Sequence, residues 1–339
     1  MTRRERVEIA LRHEQPDVCP WYLEMVPTYR QDFLAWVGDP DFESRVGNHL
    51  ARVRPRAADY FVEVRPGFFR DEFGVVWDRT LDPDFGNPDG VLLAEPDLRG
   101  YQWPDPALPA RWAAVEQQIA AAEDKFVLLG MSHVLFERAW FMRGLENLLL
   151  DMYERPEFVE ELLDALLDHH LQIVDLAGGY PVDAYYFGDD YGSQAGLLIS
   201  PALWRRFLKP RLARLCEAAH AQGRHVLLHS CGAVGDLVGD LVEIGVEGLN
   251  PCQPEIMDLP GLHRRYGREL TFFGGLSTQR VMAFGTPEEV KAETWALIRE
   301  LGAGGGYLSS PAQTLPKGIP PANILAFVEA VQDQSGVRG

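Results

Sequence analysis

The sequence has little cysteine, no long apolar run and fewer basic than acidic side chains. Its 339 residues include four cysteines, too few for the disulfide framework of a small secreted domain. The amino-terminal residues contain no apolar signal core, so we expect a reducing, cytoplasmic location. No apolar run approaches the roughly 20 residues of a membrane-spanning helix. With 32 basic and 50 acidic residues, the formal charge of −18 argues against nucleic acid and anionic membranes as partners.

Eight short apolar or β-branched runs alternate with longer segments of helical periodicity. This alternation is typical of βα units around a parallel sheet. The sequence therefore predicts an α/β fold, a (β/α)8 TIM barrel that forms a single domain over residues 1–339. The predicted strands are residues 19–25, 58–64, 126–131, 183–188, 225–230, 247–251, 271–275 and 306–310.

Turn and capping residues mark further boundaries. The segments 75–79 and 91–96, separated by glycine and proline, predict a β-hairpin insertion after the second strand. Ser200 is the predicted amino-terminal cap of a helix that Pro210 should kink. Thr286, followed three residues later by glutamate, predicts a capping box.

The chemistry most clearly indicated by the sequence is that of His229 and Cys231, at the end of the fifth predicted strand. Residues two apart on a strand point to the same side, and an imidazole beside a thiolate is suited to zinc. Catalytic zinc usually has three protein ligands, so a third must come from elsewhere in the chain. The alternative is that His229 caps a strand end and that Cys231 is a buried thiol.

Other polar residues also follow predicted strands. In TIM barrels the catalytic groups lie on the loops after the carboxyl ends of the strands. Any one such residue is typical of ordinary loops, but their joint placement predicts a pocket. The candidates selected in this way are Glu24, Asp71, His133, Glu137, Asp189, Tyr191, Gln194, Asn250, Gln279 and Gln313.

Five long motifs cover much of the chain. They are FRDEFGVVWDR at 69–79, FGDDYGSQAGLLISPALWRRFLKPRL at 187–212, LLHSCGAVGDLVGDLVEIGVEGLNPCQPE at 227–255, FFGGLSTQRVMAFGTPEEVKAE at 272–293 and GGGYLSSPAQTLPKGIPPANI at 304–324. Together they resemble the uroporphyrinogen decarboxylase superfamily over nearly the whole chain. The resemblance extends in particular to its corrinoid-linked zinc methyltransferases, of the methylcobalamin:coenzyme M type. It implies a (β/α)8 barrel with its pocket at the carboxyl ends of the strands.

The same resemblance implies a metal site. Methyltransferases of this branch bind zinc through a histidine, a cysteine two residues later and a second cysteine after the last strand. His229 and Cys231 match the first two positions, whereas the residue in register with the third is Gln313. A carboxamide is a weak zinc ligand beside a thiolate. Three options follow: Gln313 binds through its oxygen, Cys252 reaches in, or, as we favour on charge, an acidic residue replaces the cysteine, namely Glu137, Asp189 or Asp190.

The function implied by the resemblance is that of a zinc-dependent methyltransferase or demethylase component. It would transfer a methyl group between a small methylated substrate and a corrinoid, with a corrinoid protein or free cobamide as partner. Under this hypothesis Asp71 and Glu137 are the catalytic acid or base, while Asp189 and Tyr191 orient the acceptor or the metal ligands. The remaining candidates, Glu24, His133, Gln194, Asn250 and Gln279, bind substrate. Members of the superfamily commonly form dimers, so the resemblance also implies a homodimer.

Two alternatives remain. A carboxy-lyase that acts on a tetrapyrrole or another acid needs a cationic pocket. The classical decarboxylases supply it from an arginine-rich stretch after the first strand, where this chain has Glu24 and only the later Arg30. We therefore disfavour that activity. The other alternative is a non-catalytic ligand-binding barrel.

Overall fold

A computed structural model describes residues 1–57 and 59–338. The strands are β1 (Leu50–Val53), β2 (Val62–Arg65), β3 (Phe68–Arg70), β4 (Val76–Asp78), β5 (Asn87–Pro88), β6 (Phe126–Ser132), β7 (Ala184–Gly188), β8 (Gly192–Ser193), β9 (Gly196–Leu197), β10 (His225–His229), β11 (Gly248–Asn250), β12 (Thr271–Leu276) and β13 (Tyr307–Pro311). The helices are α1 (Arg3–Leu11), α2 (Pro27–Val37), α3 (Phe42–Val46), α4 (Pro109–Trp112), α5 (Val115–Ala120), α6 (Phe136–Arg143), α7 (Leu145–Glu154), α8 (Pro156–Ala177), α9 (Pro201–Phe207), α10 (Lys209–Ala221), α11 (Val238–Glu243), α12 (Leu259–Tyr266), α13 (Val281–Phe284), α14 (Pro287–Leu301) and α15 (Pro321–Gln332). Short 3₁₀ helices cover Gly235–Leu237 and Gln334–Arg338.

A curled parallel sheet forms the centre of the fold. Its seven strands are ordered β1-β6-β7-β10-β11-β12-β13. The segment around Trp21 and Tyr22 lies between the two edges of this sheet. Tyr22 N donates to Ser309 O of β13 at 2.9 Å, and His49 N, just before β1, donates to Trp21 O at 3.0 Å. The architecture is therefore α/β and TIM-barrel-like, with strand ends gathered as the sequence predicted.

Two of the predicted barrel strands need correction. The segment 19–25 makes only two isolated bridge pairs, Trp21 with Ser309 and Met25 with Leu315. The prediction of 58–64 as a barrel strand is wrong, because the strand next to β6 is β1. Ala58 itself lies outside the described residues. The short β1 was missed because its sequence, LARV, carries an arginine and is not an apolar run.

A four-stranded antiparallel sheet occupies the chain between β1 and β6. Its order is β2-β3-β4-β5. The predicted hairpin partner at 91–96 forms no strand, and β4, within the predicted 75–79, pairs instead with β3 and β5. The turn between β3 and β4 explains this pairing, because the Asp71 side chain accepts hydrogen bonds from Phe73 N and Val75 N, both at 3.0 Å. This turn holds β4 beside β3, the strand that precedes it.

The inside of the curled sheet is filled by apolar side chains. Leu128, Ala184, Leu227 and Phe273 are nearly or fully buried there in one cluster, as expected for a packed barrel interior. At one end the cluster is completed by Val7, Ala10 and Leu11 of α1. Because Gly306 N, just before β13, donates to Ala10 O at 2.8 Å, α1 covers the amino ends of the strands. The carboxyl ends are left for the polar residues.

The predicted helix boundaries are confirmed. Ser200 Oγ accepts from Leu203 N at 3.3 Å at the start of α9, and the helix breaks at Leu208, two residues before Pro210. Thr286 and Glu289 form the capping box of α14. In residues 1–57 and 59–338, none of the helices combines the length and apolar character required to cross a membrane.

Candidate metal centre

Three potential metal ligands meet where β7 and β10 end. Because the two strands are adjacent, with Gly188 paired to His229, the residues that follow each strand are neighbours. One ligand atom from each of Asp190, His229 and Cys231 lies within 4.8 Å of the others. His229 Nε2 is 3.4 Å from Cys231 Sγ and 3.8 Å from Asp190 Oδ1. An oxygen, a nitrogen and a sulfur donor on one side of a site suit zinc, with room for a fourth ligand.

Asp190 is the acidic residue that joins the predicted pair. Gln313 is also adjacent, but its Nε2 donates to Cys231 Sγ at 3.0 Å while its Oε1 accepts from Thr314 N at 3.0 Å. In this orientation the amide oxygen is turned away from the thiol. Cys252 is 1% exposed, and its thiol donates to Leu249 O at 3.0 Å. Among the three options for the third ligand, the geometry favours Asp190.

Asn250 fixes the ring of His229. The Asn250 amide nitrogen donates to Phe273 O at 3.0 Å, so its oxygen faces the imidazole, 2.6 Å from His229 Nδ1. That oxygen also accepts from the Tyr186 hydroxyl at 2.6 Å. Since a carboxamide oxygen can only accept, the imidazole proton is assigned to Nδ1. The lone pair on Nε2 then points toward Asp190 and Cys231, as a metal ligand requires.

The negative charge of Asp190 acts on both of the other candidate ligands. Burial, followed by the negative charge of Asp190, raises the pKa of the Cys231 thiol. Burial opposes protonation of His229, but Tyr186 and Asp190 outweigh it and raise the pKa of the imidazole. A metal that binds here must therefore displace the proton of the Cys231 thiol.

A close backbone contact places Cys231. Gly232 has a φ of 91°, and a Cβ added to it would lie 2.1 Å from the carbonyl carbon of Gly192. Ala233 N donates to Ser193 O at 2.9 Å, and Gly232 N donates to Gln253 Oε1 at 2.8 Å. Only glycine permits this approach, which holds the hairpin of β8 and β9 against the turn that carries Cys231.

Asp189 and Glu137 lie behind the three ligands. The buried Asp189 carboxylate accepts from Phe136 N and Glu137 N, both at 2.8 Å, at the first turn of α6. Glu137 Oε2 accepts from Asp190 N at 3.0 Å. Burial, and then the charges of Asp190 and Asp189, raises the pKa of Glu137 well above its usual range. Both carboxyl groups thus position the loop of Asp190, whereas the ring of Tyr191 is buried against Trp204.

A small cavity adjoins His229 and contains Glu24. Its walls also include Tyr22, Arg52, Tyr186, Asn250, Phe273, Ser310 and Gln313. Glu24 pairs with Arg52 at 2.9 Å and with Arg54 at 3.1 Å. Burial raises the pKa of Glu24, but the two guanidinium groups outweigh burial and lower it. Arg30, the later cation of the same stretch, pairs with Glu43.

Arg52 and Tyr186 are site residues that the sequence reasoning missed. The Arg52 guanidinium lies over the Tyr186 ring, 4.8 Å from its centroid. A signal was present, because Arg52 on β1 and Arg54 directly after it are two residues apart, a spacing that puts the side chains of an extended segment on one side. Tyr186 lies two residues after Ala184 on β7 and shares its inner side.

The other predicted candidates lie outside this cavity. Asp71 accepts from Trp77 Nε1 at 3.0 Å and Arg138 Nη1 at 2.6 Å in addition to its two backbone donors, a pattern that favours a structural role. The ring of His133 stacks on Trp77 with 6.2 Å between centroids. Gln194 and Gln279 are exposed, and their side-chain amides are 3.4 Å apart.

A second cavity, here called the arginine cavity, lies on the other side of Arg54. It is lined by residues between β1 and β2, by part of β6, and by residues of the insertion, α6 and α8. Its polar lining includes four arginines and two adjacent histidines: Arg54, Arg56, Arg111, Arg138, His169 and His170.

Comparison with known proteins agrees with this architecture. The family model described as uroporphyrinogen decarboxylase (URO-D) matches residues 83–334. The chain belongs to the uroporphyrinogen decarboxylase family. A relative named uroporphyrinogen decarboxylase, from Nitrosomonas europaea, is 23% identical across 96% of this chain and 95% of its own.

Methyltransferases are also similar to this member of the uroporphyrinogen decarboxylase family. The methylcobamide:CoM methyltransferase MtaA of Methanosarcina barkeri is 27% identical over 133 residues, 39% of this chain and 37% of that protein. A solved structure of a methyltransferase from Methanosarcina mazei superimposes with a TM-score of 0.75 and 20% identity, covering 98% of this chain and 99% of the other. The latter likeness establishes the fold.

Proposed function

We propose that this protein is a zinc-dependent methyltransferase or demethylase component that moves a methyl group between a small substrate and a corrinoid. The observation that carries the proposal is the convergence of Asp190, His229 and Cys231 within 4.8 Å. The similarity to a methylcobamide:CoM methyltransferase supports the corrinoid as the methyl carrier. The TIM-barrel-like architecture supports the placement, since reactions in such barrels occur at the carboxyl ends of the strands.

The donor set suits the metal. Asp190, His229 and Cys231 would hold zinc, and a bound zinc ion lowers the pKa of a substrate thiol or hydroxyl and polarises the heteroatom that carries the methyl group. Asn250 keeps His229 Nε2 directed at the site. The amide of Gln313 donates to Cys231 Sγ and so stabilises a thiolate there.

Glu24, Arg52 and Tyr186 form the wall on which a substrate would be placed. Arg52 Nη1 lies 2.9 Å from Glu24 Oε2, and the two charges are opposite. This pair therefore adds polar groups to the wall without adding a net charge. A methylated corrinoid would supply the methyl group as co-substrate. The substrate heteroatom would provide the electron pair of the new bond to the methyl carbon, the pair of the cobalt–carbon bond would stay with the corrinoid, and the substrate's proton would leave to solvent or to a nearby base.

A carboxy-lyase acting on an organic acid is the second candidate. The arginine cavity favours it, because it supplies the cationic pocket that such an activity needs. Uroporphyrinogen is the first substrate to test, with its carboxylates counted by chromatography of the oxidised porphyrins. Turnover that persists after zinc is removed would support the lyase in place of the methyltransferase.

Metal content is the decisive first measurement. Protein purified without chelator should contain near-stoichiometric zinc by elemental analysis. Asp190→Ala, His229→Ala and Cys231→Ser should each lose it, whereas Gln313→Ala should retain most of it. Cys252→Ser is the matched control, since its new hydroxyl can keep the hydrogen bond to Leu249 O. A wild-type protein that stays free of metal after zinc is supplied would overturn the proposal.

Methyl transfer is then assayed directly. Methylcobalamin is mixed with mercaptoethanol, and loss of the cobalt-bound methyl group is followed by visible absorbance. We expect zinc-dependent demethylation that falls at least 100-fold in His229→Ala. If the protein is fully loaded with zinc but transfers no methyl group to any of a series of thiol and hydroxyl acceptors, the metal site serves another function.

A further inference from the structure

One of the four arginines of the arginine cavity has no carboxylate partner among the described residues. Arg54 pairs with Glu24, Arg111 with Glu72 and Arg138 with Asp71. The fourth, Arg56, has no carboxylate within 4.0 Å among the described residues.

Arg56 is held in place by an aromatic ring. Its guanidinium carbon lies 4.0 Å from the centroid of the Tyr60 ring, and the residue is exposed to solvent while it lines the cavity. Stacking of this kind pre-orients the planar group without using its N–H donors. A single anion entering the cavity would therefore find an oriented and unpaired cation.

Two buried histidines in the same cavity have ring nitrogens without partners. His170 is 5% exposed, and neither of its ring nitrogens has a hydrogen-bond partner in the described part of the chain. His169 is 4% exposed, and its Nε2 is likewise unpaired. Buried polar atoms are normally hydrogen-bonded, so such atoms call for an explanation.

The two rings are neutral donors and acceptors. Burial, followed by the nearby His169 and Arg138, lowers the pKa of His170 well below its usual range. Burial, and then Arg111 and Arg138, lowers the pKa of His169 to about 4. A neutral imidazole retains one N–H, which can donate to an oxygen of a ligand.

Apolar side chains form another part of the lining, beside the polar Tyr60, Glu72 and Ser132. Phe73, Met131 and Ile173 contribute to the walls, and Phe73 packs edge-on to His169 with 5.1 Å between ring centroids. A ligand that fits both parts of the cavity combines one carboxylate with an apolar body. A fully hydrated inorganic ion would leave these walls without a contact.

We propose that the arginine cavity is a binding site for a small monocarboxylate with an apolar body, with Arg56 as its cation and His170 as a hydrogen-bond donor to the ligand. The site is separate from Asp190, His229 and Cys231, so its occupancy does not depend on zinc. This proposal goes beyond methyl transfer, because it gives the protein a second ligand site, built from helices and loops other than those of the metal centre.

Benzoate is the first probe, added to the full-length protein as purified. Long-range proton–nitrogen NMR of the histidine rings should show saturable shifts of the His170 signals, which are assigned by their loss in His170→Gln. The dissociation constant from this titration should rise at least tenfold in Arg56→Gln and less in Arg56→Lys. Acetate should bind more weakly than benzoate, because it does not reach the apolar walls.

Controls separate this inference from the proposed function. Arg214→Gln removes an exposed arginine of α10 and should leave benzoate affinity unchanged, while thermal melting checks that every variant is folded. Cys231→Ser should bind benzoate like the wild type even when it has lost zinc. An absence of benzoate-induced His170 shifts in a zinc-loaded protein would overturn the carboxylate site alone, as would equal affinities in Arg56→Gln and wild type.

Discussion

The metal centre and the arginine cavity lie on either side of the Glu24 carboxylate, yet they differ in charge and in origin. The metal centre presents an oxygen, a nitrogen and a sulfur donor from the ends of two neighbouring strands. The arginine cavity presents guanidinium groups and neutral imidazoles from the insertion, α6, α8 and the loop after β1. Glu24 bonds to Arg52 on one side and to Arg54 on the other.

This difference shows that the overall charge of a chain says little about its cavities. A protein with a formal charge of −18 gathers four arginines around one cavity. Three of them pair with carboxylates, one of which, Glu24, is shared with Arg52, and this pairing lowers the cost of bringing them together. The argument from net charge against polyanionic surfaces does not extend to a small acid in such a cavity.

The largest expected effect comes from the wall of the arginine cavity. Arg138→Met removes the cation that pairs with Asp71 at 2.6 Å, and both side chains are at most 2% exposed. Leaving a carboxylate buried without its partner should cost about 3–5 kcal/mol of unfolding free energy. Urea denaturation followed by circular dichroism measures the loss.

A matched variant tests the cause. Arg99→Met breaks the pair with Asp97, in which the arginine is 92% exposed, and should leave the free energy of unfolding nearly unchanged, because solvent screens exposed pairs. Equal losses in the two variants would show that burial of the Asp71 pair does not determine its contribution.

The next effect concerns the metal centre. Asn250→Ala removes the acceptor that orients His229 and should weaken zinc binding about 10- to 100-fold, as loss of such supporting hydrogen bonds typically does. Competition with a chromogenic zinc chelator measures the affinity. Asn87→Ala, at an exposed position of β5, is the control. An unchanged zinc affinity in Asn250→Ala would contradict the role given to this amide.

The smallest expected effect on stability concerns an ion pair that lies away from both cavities. At the amino end of β10, the Glu247 hydrogen bond raises the pKa of His225, while the pKa of Glu247 is lowered because His225 outweighs burial. The pair therefore stabilises the fold below the ordinary histidine pKa, and this contribution is lost as the pH rises through the raised pKa of His225. The contribution is also lost in acid, as the pH falls through the lowered pKa of Glu247.

The corresponding variant is His225→Gln. At pH 6 it should be less stable than the wild type by under about 1 kcal/mol, since both partners are partly exposed, and the difference should shrink at pH 9. Urea unfolding at the two pH values measures it. A difference that grew with pH would contradict the sign of the His225 shift.

Much of the metal centre could be predicted from local sequence, and the arginine cavity could not. His229 and Cys231 are two residues apart at a strand end, so alternation alone indicated that they share a side. Asp190 was among the acidic options, but choosing it required the pairing of β7 with β10. Arg56, Arg111 and His170 lie on separate elements, and only the packing of the insertion against α8 brings them to one cavity.

The fold shows the same division. Strands with apolar runs, such as β6 and β10, were predicted within a residue or two. The short β1 was not, because half of its residues are polar or small and its arginine pairs with Glu24 across the barrel mouth. Hydrophobic periodicity identifies strands that bury apolar side chains. A strand whose inward-facing side chain belongs to an ion pair lacks that periodicity.

The packing of α1 determines the route by which molecules reach the metal centre. Val7, Ala10 and Leu11 close the amino end of the barrel interior, and the apolar cluster between them and Tyr186 is filled. Any molecule that reaches His229 must therefore enter and depart through the same opening. Two bulky reactants cannot pass one another there, so the one that lies deeper must bind first and leave last.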